Sequence, residues 1–118
     1  MAAADENESI LRRYVDELNK RNFAILDQVV ADVVVFGPDE TVTRDEYRQQ
    51  IDGRISRLPD YHVSIDEASS LGDVVSIRWT FRGTDSTTGE KISGQAATAY
   101  RFVDGRIVEV RSVDQAND

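Results

Sequence analysis

The apolar residues of this chain change their spacing at Pro59, and that change most constrains how the chain can fold. Before Pro59 they recur at every third or fourth residue, which is the spacing of an amphipathic helix. After Pro59 they recur at every second residue, which is the spacing of a half-buried strand. Helices followed by a run of strands predict an α+β fold, in which a curved antiparallel sheet wraps onto the N-terminal helices.

Three helices are predicted in the first half of the chain. Apolar stripes predict a helix over residues 8–20 and a second one over residues 23–32, with Asn22 as the cap of the second. The third helix begins at the capping box Thr43–Glu46, in which a threonine side chain and a glutamate side chain each accept a backbone N–H. It is predicted to end at Pro59, because proline cannot continue a helix.

The strands are predicted from alternation and from turn residues. A short apolar run, Val33 to Phe36, predicts a first strand. Two alternating segments, His62–Asp66 and Val75–Arg82, predict a hairpin that places Ile65 and Trp79 on one face. A loop with an odd number of residues keeps the two apolar sets together, and Leu71–Asp73 would serve.

The last hairpin is predicted from Asp104-Gly105, the two-residue signature of a type I′ turn. This turn joins a strand from Ile92 to Val103 with a strand from Arg106 to Val113. An unbroken ladder then predicts five cross-strand pairs: Phe102 with Ile107, Tyr100 with Glu109, Ala99 with Val110, Ala97 with Ser112, and Gln95 with Asp114.

Composition limits the partners and cofactors. The chain has 118 residues, enough for one domain spanning 1–118, and 22 acidic against 14 basic residues give it a net charge of −8. We expect neither nucleic acid nor an anionic membrane as a partner, since both attract positive charge. One histidine, no cysteine and no phosphate-binding motif predict no metal site and no cofactor. The first ten residues lack the pattern of a secretory signal, so a soluble, cytoplasmic protein is expected.

Asp114 is the candidate catalytic residue. A carboxylate in an apolar pocket can act as a general acid or base, and the predicted ladder sets Asp114 beside the small residues Ala97, Ala99 and Ser112, which leave room for a ligand. The alternative is an ordinary strand-end carboxylate in water. His62 alternates with Val63, so it is expected to point away from the pocket, to the surface or a subunit contact.

Aromatic residues are the candidate ligand contacts. Tyr14, Tyr47 and Tyr100 could each present a hydroxyl group to an oxyanion, and Trp79 and Phe81 offer flat surfaces to an aromatic ligand. Each of the five also fits an apolar stripe, so a plain role in the core is the alternative interpretation. The strand arginines are expected to pair with carboxylates across the sheet.

Three segments resemble one known group of proteins. PDYHVSIDEASSLGDVVSIRWTFRGT, YRFVDGRIVEVRSVD and RRYVDELNKRNFAILDQVVADVVVFGP are similar to the SnoaL-like polyketide cyclase and ester cyclase group of the nuclear transport factor 2-like superfamily. The resemblance implies a cone-shaped roll of the cystatin-like type, with a hydrophobic pocket at its open end. It also implies a homodimer formed through the outer face of the sheet.

The resemblance implies an acid-base enzyme of the cyclase or isomerase type that acts on a small apolar substrate. In the cyclases the acid-base residue is an aspartate just after the last long strand, and Asp114 matches it, although the family's tryptophan-to-acid spacing would instead select Gln115. Phe36 stands where cyclases often carry a histidine, and it is expected to shape the cavity with Tyr14, Tyr47 and Trp79. A non-catalytic ligand-binding or dimerisation domain is the alternative function.

Overall fold

The computed structural model describes residues 2–37 and 39–112. Helices and strands alternate irregularly in the first half and give way to four long strands in the second half, as the change of spacing at Pro59 predicts. In chain order the elements are α1 (Ala2–Asn19), α2 (Ile25–Val29), β1 (Val30–Gly37), β2 (Glu40–Thr43), α3 (Arg44–Arg57), β3 (His62–Leu71), β4 (Val74–Thr84), β5 (Lys91–Val103) and β6 (Arg106–Ser112).

The capping box of α3 is confirmed. The Glu46 amide donates to the Thr43 hydroxyl group over 3.1 Å, and the Thr43 amide donates to the Glu46 carboxylate over 2.8 Å. Both bonds satisfy amide groups that have no partner inside the first turn of a helix. The helix ends at Arg57 with Leu58 as its C-cap, one residue before Pro59.

The prediction for the second helix is wrong in length and in its cap. Helix α2 has five residues, and the chain passes directly from Val29 into strand β1 at Val30. The β-branched residues that follow suit a strand better than a helix, and they find partners in the sheet. Asn22 does not cap α2; its side chain donates to the Glu17 carboxylate over 2.6 Å and so holds the end of α1.

The six strands form one sheet in the order β2-β1-β6-β5-β4-β3. All neighbouring strands are antiparallel except β1 and β6, which pair in parallel. Strand β2 is four residues long and was not predicted, because so short a segment carries no periodic signal. Helices packed on one face of a curved sheet confirm the predicted α+β fold.

The first hairpin reaches the predicted pairing by another route. Its loop holds two residues, Gly72 and Asp73, and not the three that were predicted. Ile65 nevertheless lies opposite Trp79, because Asp66 bulges out of β3 and shifts the ladder by one residue. The extra residue in β3 therefore brings the two apolar sets onto one face, which was predicted to be the effect of a three-residue loop.

The second hairpin starts as predicted and then departs from the prediction. Asp104 and Gly105 have φ values of 52° and 79°, as a type I′ turn requires, and Phe102 pairs with Ile107. Val108 then bulges out of β6 and shifts every later pair by one residue. The observed partners are Val110 for Tyr100, Arg111 for Ala99 and Ser112 for Thr98; the pair of Gln95 with Asp114 lies outside the described residues.

This shift exchanges the faces of the sheet along β6. Val110 packs against the core, and Ser112 shares its face with the buried Thr98. Ala97 and Ala99 lie on the opposite, outer face. The prediction that they share a face with Ser112 and leave room there for a ligand is therefore wrong.

The core lies between the helices and the inner face of the sheet. Its fully buried side chains are Leu11, Ile25, Leu26, Val30, Val34, Val75 and Ile107. Within residues 2–37 and 39–112, no helix combines the length and the apolar character needed to cross a membrane.

Candidate functional site

A small cavity lies between α1, α3 and strands β3, β4 and β5. Its volume is about 80 Å³, and most of its wall is apolar. The spacing of three to four residues along both helices turns one apolar stripe of each toward the sheet. The lining residues are Tyr14, Val15, Leu18, Asn19, Ile51, Arg54, Ile55, Tyr61, Val63, Ile77, Trp79 and Tyr100.

A second hollow of about 240 Å³ adjoins the cavity and forms its mouth. The two share Arg54, Tyr61 and Trp79 in their walls, and the mouth adds Phe81 and the end of α3. The two hollows therefore lie side by side, and Tyr14 and Tyr100 stand in the wall of the inner one. Such a shape, apolar with a few polar groups, is typical of a small-molecule site.

The polar part of the cavity is made of buried tyrosines. The hydroxyl groups of Tyr14 and Tyr47 lie 2.6 Å apart and form a hydrogen bond. Tyr47 stands behind the wall, where its ring meets the ring of Phe36 edge to face, with the centroids 5.6 Å apart. The hydroxyl group of Tyr100, in the wall itself, makes no hydrogen bond to any other described residue.

Burial keeps these hydroxyl groups protonated. It raises the pKa of Tyr14 well above its ordinary value, and the nearby Tyr47 and Tyr100 raise it further. Burial likewise raises the pKa of Tyr100, with a further contribution from Tyr47. Both groups are therefore neutral at physiological pH. The Tyr100 hydroxyl can then donate a hydrogen bond to an acceptor in the cavity.

The aromatic side of the cavity is held by the sheet. The Trp79 indole N–H donates to the Thr98 hydroxyl group over 3.0 Å, and the Trp79 and Phe81 ring centroids lie 6.0 Å apart. Phe81 rests on the bare backbone of Gly94, where a Cβ atom would lie 2.7 Å from its ring. The missing side chain at Gly94 thus sets where the Phe81 ring stands.

Asn19 fastens the last turn of α1 to the edge of the sheet. Its side-chain amide donates to the Val63 carbonyl over 2.8 Å, and its oxygen accepts the Val63 N–H over 3.0 Å. The pair of bonds satisfies an edge-strand residue that would otherwise face water. This contact closes the cavity on the side of β3.

No carboxylate and no histidine appears among the described residues that line the cavity or its mouth. The charged side chains there are Arg54 and, at the mouth, Arg57. Within the described part of the chain, no group of three or more histidine, cysteine or acidic side chains is placed to hold a metal ion. Asp114, the predicted acid-base residue, lies outside the described residues.

The structure brings together most of the predicted ligand contacts. Tyr14, Trp79 and Tyr100 line the cavity, and Phe81 lines its mouth. Tyr47 and Phe36 lie one layer behind and support Tyr14. Their roles in ligand binding stay predictions.

His62 lies across from Arg82 in the ladder, on the face of the sheet turned away from the cavity. Its neighbour Val63 faces the cavity. This is the orientation that the alternation predicts.

The sequence analysis missed the polar lining residue Asn19 and two further residues of the site, Arg54 and Tyr61. Arg54 lies three residues after Ile51 and one before Ile55, so it falls on the inner stripe of α3, and this spacing could have revealed it. Tyr61 follows Pro59 in the turn before β3, where no periodicity marks it.

A family model of the SnoaL-like domain matches residues 11–110. The chain belongs to this family. No curated protein matches it.

Solved structures of the same fold come from several bacteria. A SnoaL-like polyketide cyclase from Agrobacterium tumefaciens has a TM-score of 0.83 and 22% identity, over 92% of this chain and 91% of that one. AclR from Streptomyces galilaeus, whose hydroxylase activity is itself a proposal, has a TM-score of 0.82 and 21% identity, over 93% and 79%. An NTF2-like protein of unknown function from Burkholderia pseudomallei has a TM-score of 0.78 and 19% identity, over 92% and 89%. These similarities show the fold, which serves different functions.

Proposed function

We propose that this protein binds a small, mostly apolar molecule that carries an oxygen acceptor, and that it catalyses an acid-base reaction on that molecule. The observation that carries the proposal is the protonated Tyr100 hydroxyl group, which has no hydrogen-bond partner among the described residues and lies in the wall of a mostly apolar cavity. A ligand carbonyl could accept a hydrogen bond there, while its apolar body lies against Trp79.

The tyrosine hydroxyl groups can act as the electrophilic group of such a reaction, by donating a hydrogen bond to the ligand oxygen. When a base removes a proton from the carbon next to a carbonyl group, the electron pair moves to the oxygen and an enolate forms. A buried hydroxyl donor stabilises that negative oxygen more than it stabilises the neutral carbonyl, so it lowers the barrier. Tyr14, held by Tyr47, lines the same cavity as Tyr100 and keeps its polar region fixed.

Asp114 is proposed as the base. It follows Ser112 by two residues, and Ser112 pairs with Thr98 on the inner face of the sheet. In an isomerase, Asp114 would return the proton to a different carbon atom. In a cyclase, the enolate carbon would attack a second carbonyl group of the ligand, and Asp114 would return the proton to the alkoxide oxygen that forms there. The reaction needs no cofactor under this proposal.

A non-catalytic binding protein is the second candidate function. The absence of a carboxylate or histidine from the described lining favours it, since tyrosines alone bind and polarise a carbonyl group but remove no proton. The two functions share the cavity and differ in the base.

Proton exchange on a simple ketone separates them. We choose α-tetralone, a bicyclic aromatic ketone, and follow its binding by the indole N–H resonance of Trp79, the single tryptophan of the chain. The rate at which the α-protons of α-tetralone exchange with deuterated water then reports base catalysis of this kind. We expect binding and accelerated exchange in the wild-type protein.

Two variants assign the roles. Asp114→Asn should bind the ketone normally and lose the accelerated exchange, whereas Tyr100→Phe should weaken both. Binding without exchange in the wild-type protein would establish the non-catalytic function. If α-tetralone and related ketones of its size do not bind at all, the proposed function is wrong.

We also propose that the protein forms a homodimer through the outer face of its sheet. The centre of that face carries the small side chains of Ser76, Ala97 and Ala99, which allow a second sheet to approach closely. Sedimentation should show a dimer, and Ala99→Glu should give a folded monomer because it places two like charges in the contact. A wild-type monomer, or a dimer that tolerates Ala99→Glu, would contradict this interface.

A further inference from the structure

Arg54 stands where the cavity meets its mouth. The side chain lines both hollows, and its guanidinium carbon lies 5.8 Å from the centroid of the Tyr61 ring, within the range of a cation–π contact. An aromatic ring thus holds one face of the guanidinium group. Its N–H donors lie in the plane of the group and make no hydrogen bond to a described residue, so they can bind another partner.

Arg54 pairs with no carboxylate in the part of the chain that the structure describes. The other arginines of α3 behave differently near its start, where Arg44 pairs with Asp27 over 3.6 Å and Arg48 with Asp52 over 4.0 Å. The chain has 22 acidic residues against 14 basic ones, so acidic partners are plentiful. An arginine without a carboxylate partner among the described residues, at the entrance of a mostly apolar site, suggests that its partner is a ligand.

The charge of Arg54 also reaches the inner end of the cavity. Burial dominates the pKa of Tyr100 and raises it, while the positive charge of Arg54 acts in the opposite direction on Tyr100, on Tyr14 and on Tyr47. A negative charge that develops on a ligand in the cavity would feel the same attraction. Arg57, one turn further along α3, adds a second cation at the mouth.

We propose that Arg54 binds a carboxylate group of the ligand, so that the ligand is an aromatic or otherwise apolar acid. Its ring system would lie against Trp79 inside, and its carboxylate would remain at the partly solvated mouth. The planar guanidinium group matches a carboxylate with two parallel hydrogen bonds. This inference rests on the proposed function, because it assigns the chemical class of the molecule that the cavity binds.

Naphthoate and naphthamide provide a matched test, since they share one ring system and differ in charge. We expect the wild-type protein to bind naphthoate about tenfold more tightly than naphthamide. Arg54→Gln should reduce the affinity for naphthoate about fivefold to tenfold and leave that for naphthamide within about twofold. Added salt should weaken the binding of naphthoate and leave the binding of naphthamide unchanged.

Arg82→Gln is the matched control. Arg82 is also an exposed arginine without a described ion pair, but it lies on β4 facing away from the cavity, so its replacement should change neither affinity. Arg54→Lys keeps the charge and loses the planar donors, so its affinity for naphthoate should lie between those of the wild-type protein and Arg54→Gln.

Two results would overturn the inference and leave the proposed function intact. One is equal affinity of the wild-type protein for the two probes; the other is an equal loss for both probes in Arg54→Gln. If naphthoate, naphthamide and α-tetralone all fail to bind, the proposed function fails and the inference fails with it.

Discussion

Replacing Tyr14 with phenylalanine removes one of two hydroxyl groups that meet over 2.6 Å beside the cavity. The aromatic ring and its packing remain, so the change isolates the polar contact. The Tyr47 hydroxyl group then stays buried without this partner, and leaving a buried polar group unpaired costs about 1–3 kcal/mol. We expect Tyr14→Phe to lower the free energy of unfolding by about that amount.

The double variant Tyr14→Phe/Tyr47→Phe supplies the decisive comparison. When both hydroxyl groups are removed, neither is left unpaired, so the double variant should be more stable than the sum of the single losses predicts, by about 1 kcal/mol. Urea unfolding followed by Trp79 fluorescence measures all three variants. Tyr61→Phe is the control, with an expected change within about 0.5 kcal/mol. Strict additivity of the two single losses would refute the proposed hydrogen-bonded pair.

Three further changes test other parts of the structure. Gly94→Ala should destabilise the protein by about 1–3 kcal/mol, because its methyl group would lie 2.7 Å from the Phe81 ring, and Phe81→Leu in the same chain should recover part of the loss in a urea titration. The Asp60 carboxylate accepts the Thr84 N–H and hydroxyl group over 2.6 and 2.8 Å, and these bonds lower its pKa. Their stabilisation is present above the ordinary aspartate pKa and is lost as the pH falls through the lowered one, so Asp60→Asn should flatten the acid side of the Tm profile. Tyr100, whose pKa burial raises, should destabilise the fold as the pH rises above its unfolded value of about 10, and Tyr100→Phe should flatten that alkaline loss.

Local signals in the sequence predicted the local structure well. The capping box at Thr43 and the type I′ turn at Asp104 are each decided by a few neighbouring residues, and both are confirmed. The apolar periods predicted the order of helices and strands for the same reason. The parallel pairing of β1 with β6 joins residues more than seventy positions apart, and no local pattern encodes it.

The bulges explain why the predicted register of the sheet was only partly right. Asp66 and Val108 each leave the ladder without any glycine or proline to mark them, and each reverses the inward and outward alternation beyond it. In the first hairpin the predicted loop was one residue too long and the bulge at Asp66 was not predicted. These two errors cancel, so Ile65 still lies opposite Trp79 as predicted. At Val108 nothing cancelled, and every pair beyond the bulge was displaced.

The candidate site was predictable in its aromatic residues and not in its charge. Tyr14, Trp79 and Tyr100 lie on apolar stripes that any packed model of this fold turns inward. The role proposed for Arg54 depends on its place in the cavity wall beside Tyr61, with no carboxylate beside it among the described residues, and only three-dimensional neighbours show that. The same holds for the cavity itself, since apolar periodicity predicts a core but not the space left within it.

Filling the cavity tests the central claim most directly. Val63→Phe places a ring into the space beside Trp79, while Tyr100 and Asp114 stay in the chain. In a titration with α-tetralone, the wild-type protein should show a saturable shift of the Trp79 indole resonance, and Val63→Phe, with an otherwise native spectrum, should show none. An equal shift in both proteins, or no shift in the wild type, would contradict the account that this cavity is the binding site.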